Sequence, residues 1–168
     1  MKQIGLSLWT CLALALNLRA GSDKELVVPA SFFKEAEWQL ECFGSYTVAD
    51  GFHSGGGGGV GVNYFFVRYL GAGLGAHLFG GGVGAVADID GRLIARYPVE
   101  TYSLKLAPYL FAGAGLQMHE TNRAAWSTGG GLEWRVQPGL GVYGEARCTW
   151  TSLERGHTQM RIGVRVAV

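Results

Sequence analysis

The four histidines are the first residues to test for chemistry, because imidazole is both a common metal ligand and a general base. They are His53, His77, His119 and His157, and no HExxH motif, CxxC motif or His pair at ligand spacing accompanies them. The run HSGGGGGVG at residues 53–61 lacks the lysine and hydroxyl residue of a phosphate-binding loop, and we expect a flexible hairpin loop there. The sequence therefore predicts no metal site, no cofactor and no catalytic residue.

Charged residues form the second candidate set, because they alternate with apolar residues. The segment RLIARY at residues 92–97 places Arg92 and Arg96 in an otherwise apolar run. A strand sends odd and even positions to opposite faces, whereas a helix would scatter these residues around its axis. The spacing predicts strands with one charged and one apolar face.

The same alternation recurs from residue 37 to the end of the chain, with turn residues between the apolar runs. Connections after the second, fourth and sixth strands are turn-like, as at Pro138 and Gly139, and the others are longer, glycine-rich or polar. This asymmetry favours an all-β, eight-stranded antiparallel up-and-down transmembrane barrel with one trimmed end and one looped end. The predicted strands are 37–49, 58–67, 71–79, 86–97, 104–116, 125–136, 140–150 and 159–168.

The charged faces together hold six acids and seven bases. An unpaired charge in a narrow interior would cost several kcal/mol, so this near-balance favours a closed lumen in which the acids and bases pair. Glycines at 59, 61, 71, 73, 75, 113, 115, 129 and 131 would also face inward and leave room for long arginines. The predicted interior charge network is Glu37, Glu41, Asp88, Asp90, Arg92, Arg96, Lys105, Glu133, Arg135, Glu145, Arg147, Arg161 and Arg165.

Aromatic residues on the apolar face lie toward the strand ends, in two groups. Alternation alone would also fit a soluble sandwich or barrel with its charges outside. Two aromatic girdles are instead typical of strands that cross a bilayer, where such side chains lie at the headgroup layers. The predicted membrane-interface aromatics are Trp38, Tyr46, Phe66, Tyr97, Trp126, Trp134 and Trp150.

A transmembrane helix is the alternative for residues 69–87, which carry no formal charge over nineteen positions. Seven glycines in that stretch disfavour a helix by about 1 kcal/mol each relative to alanine. Alternating small and larger residues favour strands there as well.

The first twenty residues have the basic start, apolar centre and small-residue end of a secretory signal peptide, and residues 21–36 are expected to form a periplasmic lead to the barrel. A net charge of +1 gives no reason to expect a nucleic-acid partner. Cys42 and Cys148 fall on the first and seventh strands, which the eighth would separate, so no disulfide between them is expected.

The alternation over residues 37–168, the segments NYFF, LAPYLFAGAG, GGGLEWRV and GEARCTW, and the final alternating strand resemble the small eight-stranded outer-membrane β-barrel proteins of Gram-negative bacteria, which include the OmpA-type transmembrane domain. The resemblance implies a monomeric, non-enzymatic barrel in outer-membrane lipid, with an envelope-structural or surface-recognition role and assistance from the barrel-assembly machinery. The last strand of that family usually ends in an aromatic residue, whereas this chain ends in Val168.

Two other functions stay open. Some barrels of this size modify lipids with Ser and His near the outer rim, and here Ser152, Glu154 and His157 share one predicted outer loop. A soluble ligand-binding barrel is the second alternative.

Overall fold

The computed structural model describes residues 31–49, 54–81, 84–118, 122–151 and 156–168. In these ranges the chain forms nine strands, eight of them long. The predicted all-β antiparallel architecture is confirmed, and the two-residue strand is an addition to it. The strands are β1 (Glu37–Ala49), β2 (Gly55–Val67), β3 (Leu70–Gly81), β4 (Gly84–Arg96), β5 (Val99–Glu100), β6 (Lys105–Met118), β7 (Arg123–Gln137), β8 (Leu140–Thr151) and β9 (His157–Ala167).

The long strands close into a barrel. Each pairs antiparallel with its neighbours in the order β4, β3, β2, β1, β9, β8, β7, β6, and β4 then pairs with β6. The first and last strands also meet, with Cys42 of β1 opposite Val164 of β9. No long strand in the described ranges is therefore left with an unpaired edge, as crossing a membrane with strands requires.

The two tight turns on one end of the barrel lie where the sequence predicted them. Arg68 and Tyr69 join β2 to β3, and Pro138 and Gly139 join β7 to β8. The third connection on this end is longer than predicted, because residues 97–104 hold β5, which pairs with the start of β6. We call this the short-turn end, and the opposite one the loop end.

The glycine run was predicted as a loop, and this prediction is wrong for most of it. Strand β2 already begins at Gly55. Gly57 and Gly59 lie against Phe79 and Phe43, at 2.7 and 2.6 Å from the position that a Cβ would take. The absence of side chains thus allows close contact with aromatic neighbours inside a regular sheet.

The helix considered for residues 69–87 is also absent, because β3 and β4 account for residues 70–81 and 84–96. No helix of the described chain is long and apolar enough to cross a membrane. The predicted signal peptide and residues 21–30 of the predicted lead lie outside the described residues.

The two faces of the sheet differ in character. The outer face carries the large aliphatic side chains and all seven predicted interface aromatics, each of them exposed. The inner face carries charged and polar residues together with a small core of five aromatic side chains and one isoleucine. That core consists of Phe43, Phe65, Ile94, Tyr109, Phe111 and Tyr143.

Candidate functional site

The lumen is the candidate site, because strand alternation directs the charged side chains into it. Twelve of the thirteen predicted network residues are buried, six carboxylates and six guanidinium groups. Lys105 is the exception. It is half-buried at the short-turn end, donates to the carbonyl oxygen of Thr101, and lies 5.2 Å from the Phe32 ring. Lys105 lies at the first position of β6, where the lumen ends, so its long side chain reaches the rim.

Arg165 of β9 stands at the centre of the lumen. Its Nε lies 3.1 Å from Glu41 Oε2, and its Nη1 lies 2.9 Å from Glu133 Oε2. Its Nη2 is 3.9 Å from Glu145 Oε2. One guanidinium thus faces carboxylates from three strands, β1, β7 and β8.

Arg92 of β4 contacts two of the same acids. It contacts Glu41 directly, and its Nη1 is 3.7 Å from Glu145 Oε2. Asn63 bridges them, since its amide donates to Glu41 at 3.0 Å and its oxygen accepts from Arg92 at 3.0 Å. We call Glu41, Arg92, Glu133, Glu145 and Arg165 the central cluster.

A second ionic group lies nearer the short-turn end. Glu37 Oε1 accepts from Arg96 at 3.0 Å, from Arg135 at 2.7 Å and from Gln39 at 2.6 Å. Arg135 also contacts Glu133, which links this group to the central cluster. We call Glu37, Arg96 and Arg135 the floor cluster.

Toward the loop end the ion pairs become sparser. Arg147 Nη1 is 3.0 Å from Asp90 Oδ1, and its Nη2 donates to Ser127 at 2.8 Å. Arg161 reaches Glu145 at 3.6 Å and lies over the Phe43 ring at 4.5 Å. These arginines therefore rely partly on hydroxyl and aromatic partners.

Neutral polar residues form the last layer, the mouth cluster, composed of Ser45, Thr47, His77 and Gln159. The Gln159 amide donates to Thr47 Oγ1 at 2.9 Å and lies 2.9 Å from His77 Nε2. The Ser45 hydroxyl is 3.1 Å from the same Nε2. His77 faces inward, as predicted.

Asp88 lies next to His77 on the side away from Ser45, so that Ser45, His77 and Asp88 follow one another as the serine, histidine and aspartate of a hydrolase triad do. Its Oδ2 is 3.7 Å from His77 Nδ1, which is too long for a hydrogen bond. The Gln159 amide already occupies the Nε2 that would have to accept the serine proton. The arrangement fits a packed hydrogen-bond cluster better than a nucleophile and its base.

The inward glycines give room to aromatic rings, which sequence reasoning missed. A Cβ on Gly129 would lie 2.6 Å from the Phe111 ring, and one on Gly131 would lie 2.6 Å from the Tyr109 hydroxyl. Rings also stack on guanidinium groups, with Tyr143 4.0 Å from Arg165. The signal was available, because these aromatics share the strand parity of the charged residues.

Several other predicted residues are placed only in part. His53, His119, Ser152 and Glu154 lie outside the described residues, and of the predicted loop constellation only His157, the first residue of β9, is described. Within the described ranges, no group of three His, Cys, Asp or Glu side chains could hold a metal ion.

The two predicted outward cysteines lie where expected. Cys42 on β1 and Cys148 on β8 flank β9, and neither forms a disulfide within the described chain. Cys148 is exposed on the outer face, 3.8 Å from the Thr158 hydroxyl.

Comparison with solved structures finds the same fold at low sequence identity. The N-terminal β-barrel domain of Pseudomonas aeruginosa OprF has a TM-score of 0.65 at 17% identity, covering 80% of this chain and 98% of that chain. Neisserial surface protein A has a TM-score of 0.61 at 13% identity, covering 77% and 95%. Ail, the attachment invasion locus protein of Yersinia pestis, has a TM-score of 0.54 at 14% identity, covering 80% and 99%.

No family model and no curated protein matches the sequence. At these identities the likeness concerns the fold. The alignments cover nearly the whole of each of these barrels, which agrees with the closed eight-strand topology of this chain. The chain therefore has the fold of the small eight-stranded outer-membrane β-barrel proteins, as the sequence resemblance implied.

Proposed function

We propose that the protein is a non-enzymatic integral outer-membrane β-barrel whose lumen is filled by paired charges, with a structural or surface-recognition role in the envelope of a Gram-negative bacterium. One observation carries the proposal. Arg92 is 4% exposed and its chain neighbour Leu93 is 68% exposed. A soluble barrel places these residue types the other way round, because water favours exposed charge and buried leucine.

The outer face supports the same proposal along its whole height. Leucine, isoleucine or valine residues are exposed on every long strand, and on β7 they are joined by tryptophans. Trp126 and Trp150 face each other across β7 and β8 toward the loop end, and Trp38 and Trp134 lie toward the short-turn end. We place these rings at the two headgroup layers.

The lumen supports a packed barrel rather than a pore. Side chains from β1, β4, β7, β8 and β9 meet in the central cluster and leave carboxylate and guanidinium groups in contact across the axis. Eight strands enclose an interior just wide enough for side chains. We expect the folded protein to conduct ions poorly.

The biological role is the second part of the proposal. Ail is named as an attachment invasion locus protein, and we propose a surface role of that kind for this chain on fold likeness alone. A monomer in outer-membrane lipid, inserted by the barrel-assembly machinery, is part of the same proposal.

Fractionation of cells that express the full chain tests the location. The protein should stay with the outer membrane after washing with alkaline carbonate, and its migration on a detergent gel should change on boiling, because a folded barrel resists detergent. Recovery in the soluble fraction with migration unaffected by heat would contradict the proposal. The acyl chains of membrane lipids should be the same with and without the protein, since we propose no lipid-modifying activity.

A further inference from the structure

Residues 31–36 lead into β1 at the short-turn end, and their contacts are more extensive than a trailing segment needs. Phe33 is 0% exposed, as buried as any side chain in the lumen. Its ring lies 5.3 Å from the Arg96 guanidinium and 4.9 Å from that of Arg135. Both arginines belong to the floor cluster, so Phe33 packs directly beneath it.

The beginning of the segment is fixed to the opposite wall of the barrel. Ser31 Oγ donates to Glu100 Oε1 at 2.9 Å, and the Phe32 backbone N–H donates to Glu100 Oε2 at 3.2 Å. Glu100 pairs with the first residue of β6, which is four strands away from β1 in an eight-strand barrel. The segment therefore crosses the whole short-turn opening of the barrel, a distance that six residues can span at about 3.3 Å each.

Further contacts hold the end of the segment close to β1. The Lys34 backbone N–H donates to Glu37 at 3.3 Å, and the Lys34 carbonyl accepts from Arg96 at 2.9 Å. Ala36 has a φ of 52°, a left-handed conformation at the point where the chain turns from across the short-turn opening into β1. Arg68, in the turn between β2 and β3, lies 2.8 Å from Glu100. The carboxylate that holds Ser31 and Phe32 is therefore also paired with the neighbouring turn.

We propose that residues 31–36 form a strap that seals the short-turn end of the lumen, with Phe33 as the stopper and Glu100 as the anchor. The strap keeps water and small solutes away from the floor cluster. This proposal depends on the barrel fold and not on the proposed membrane role.

Cysteine labelling tests the seal in the full chain, with Cys11, Cys42 and Cys148 changed to serine. Gln39→Cys puts a thiol on the lumen side of β1, next to Glu37, where Gln39 itself is fully buried. The probe is a small anionic methanethiosulfonate, added to the folded protein in detergent micelles. Gel migration before and after boiling reports in each variant whether the barrel is folded.

We expect slow labelling of Gln39→Cys, and labelling about tenfold faster when Phe33→Ala is added, because losing two cation–π contacts and a buried ring favours opening. Phe32→Ala is the matched control, since Phe32 precedes the stopper but lies against Lys105 outside the lumen. Thr47→Cys places a thiol at the loop end on the same face of β1. Its labelling rate should be the same with Phe33 in place as with Phe33→Ala added.

Equal labelling of Gln39→Cys with Phe33 or alanine at position 33, in a folded barrel, would overturn the proposal. Fast labelling of Gln39→Cys with the strap intact would do so as well. Glu100→Gln provides a second test in case Phe33→Ala reduces folding, because it weakens the anchor and leaves the residues of the eight long strands unchanged. This variant too should accelerate labelling at position 39 and not at position 47. A chain that never shows heat-modifiable migration would instead count against the barrel itself.

Discussion

The central cluster and the mouth cluster occupy the same lumen but hold it together by different chemistry. Strand β1 contributes Glu41 to the first and Thr47 to the second, and β9 contributes Arg165 and Gln159. The central partners are oppositely charged and meet at 2.9 to 3.9 Å in the contacts of Arg165. The mouth partners are neutral and meet at 2.9 to 3.1 Å. Strand parity thus places both sets of residues on the inner face, and the two clusters differ in whether ion pairs or neutral hydrogen bonds join their members.

The difference implies unequal consequences of losing one side chain. A buried ion pair that loses one partner leaves an uncompensated charge, which costs about 3–5 kcal/mol. A neutral hydrogen bond contributes about 0.5–1.5 kcal/mol, and less where a second partner remains. The loss of stability caused by removing one side chain should therefore be largest in the central cluster, smaller in the mouth cluster and smallest at the rim.

Arg165→Met should cause the largest loss, about 3–5 kcal/mol in the free energy of unfolding, because Glu41, Glu133 and Glu145 would share only the remaining arginines. Urea titration of the protein in lipid vesicles, followed by tryptophan fluorescence, measures it. Arg68→Met is the control and should lose at most about 1 kcal/mol, since this arginine is half-exposed at the rim. Equal losses in both variants would contradict the gradient.

Gly129→Ala tests whether steric fit matters as much as charge. The added Cβ would lie 2.6 Å from the Phe111 ring and would also meet the Ala146 carbonyl. We expect a loss of about 1–3 kcal/mol from overpacking, measured by the same titration. Gly144→Ala, where nothing lies within 4 Å, should be neutral or slightly stabilising. A tolerated alanine at 129 would show that both the Phe111 ring and the Ala146 carbonyl can move aside.

Ser45→Ala tests the mouth cluster and should cost about 0.5–1.5 kcal/mol or less, because His77 keeps its contact with the Gln159 amide. The unfolding titration used above measures this loss. A loss as large as that of Arg165→Met would mean that the mouth cluster is no weaker than the central one.

Glu100→Gln should give the smallest effect, under about 1 kcal/mol, because its ion pair with Arg68 is partly exposed. Burial raises the pKa of Glu100, but hydrogen bonds from Ser31 and Phe32 and the charge of Arg68 outweigh it, so the pKa is lowered. A carboxyl group with a lowered pKa stabilises the fold at pH values above its ordinary pKa. That stabilisation is lost as the pH falls through the pKa of the folded state.

The stability difference between the parent protein and Glu100→Gln should therefore be present at pH 7 and shrink on acidification. Unfolding titrations at several pH values measure it. A difference that is constant with pH, or that grows in acid, would contradict the assigned role of the carboxylate.

Much of the fold could be predicted because alternation is a local signal. Arg92 and Leu93 show the two faces in two adjacent residues, and Pro138 with Gly139 fixes a turn without reference to the rest of the chain. Alternation also placed the charges on one face, and the two groups of aromatic residues on the other face then predicted that the charged face lies inside the barrel. Parity selects the face before any partner is known.

The partners were not predictable, because they depend on register and on distance across the lumen. Glu37 meets Arg135 from a strand 98 positions later in the sequence. Lys105 has the right parity but lies at the rim, which parity cannot reveal. The aromatic rings over Gly129 and Gly131 and the position of Phe33 likewise depend on three-dimensional packing.

Leu93→Arg tests most directly whether the apolar face meets lipid and the charges lie within the barrel. In lipid vesicles, we expect the free energy of unfolding to fall by about 2–4 kcal/mol, because an arginine on β4, four residues before the interface residue Tyr97, would enter the hydrocarbon layer. Tyr102→Arg, which changes a fully exposed side chain in the connection between β4 and β6, should alter that free energy little. An arginine at position 93 that leaves stability unchanged would mean that this face is in water, and would contradict a barrel that spans lipid.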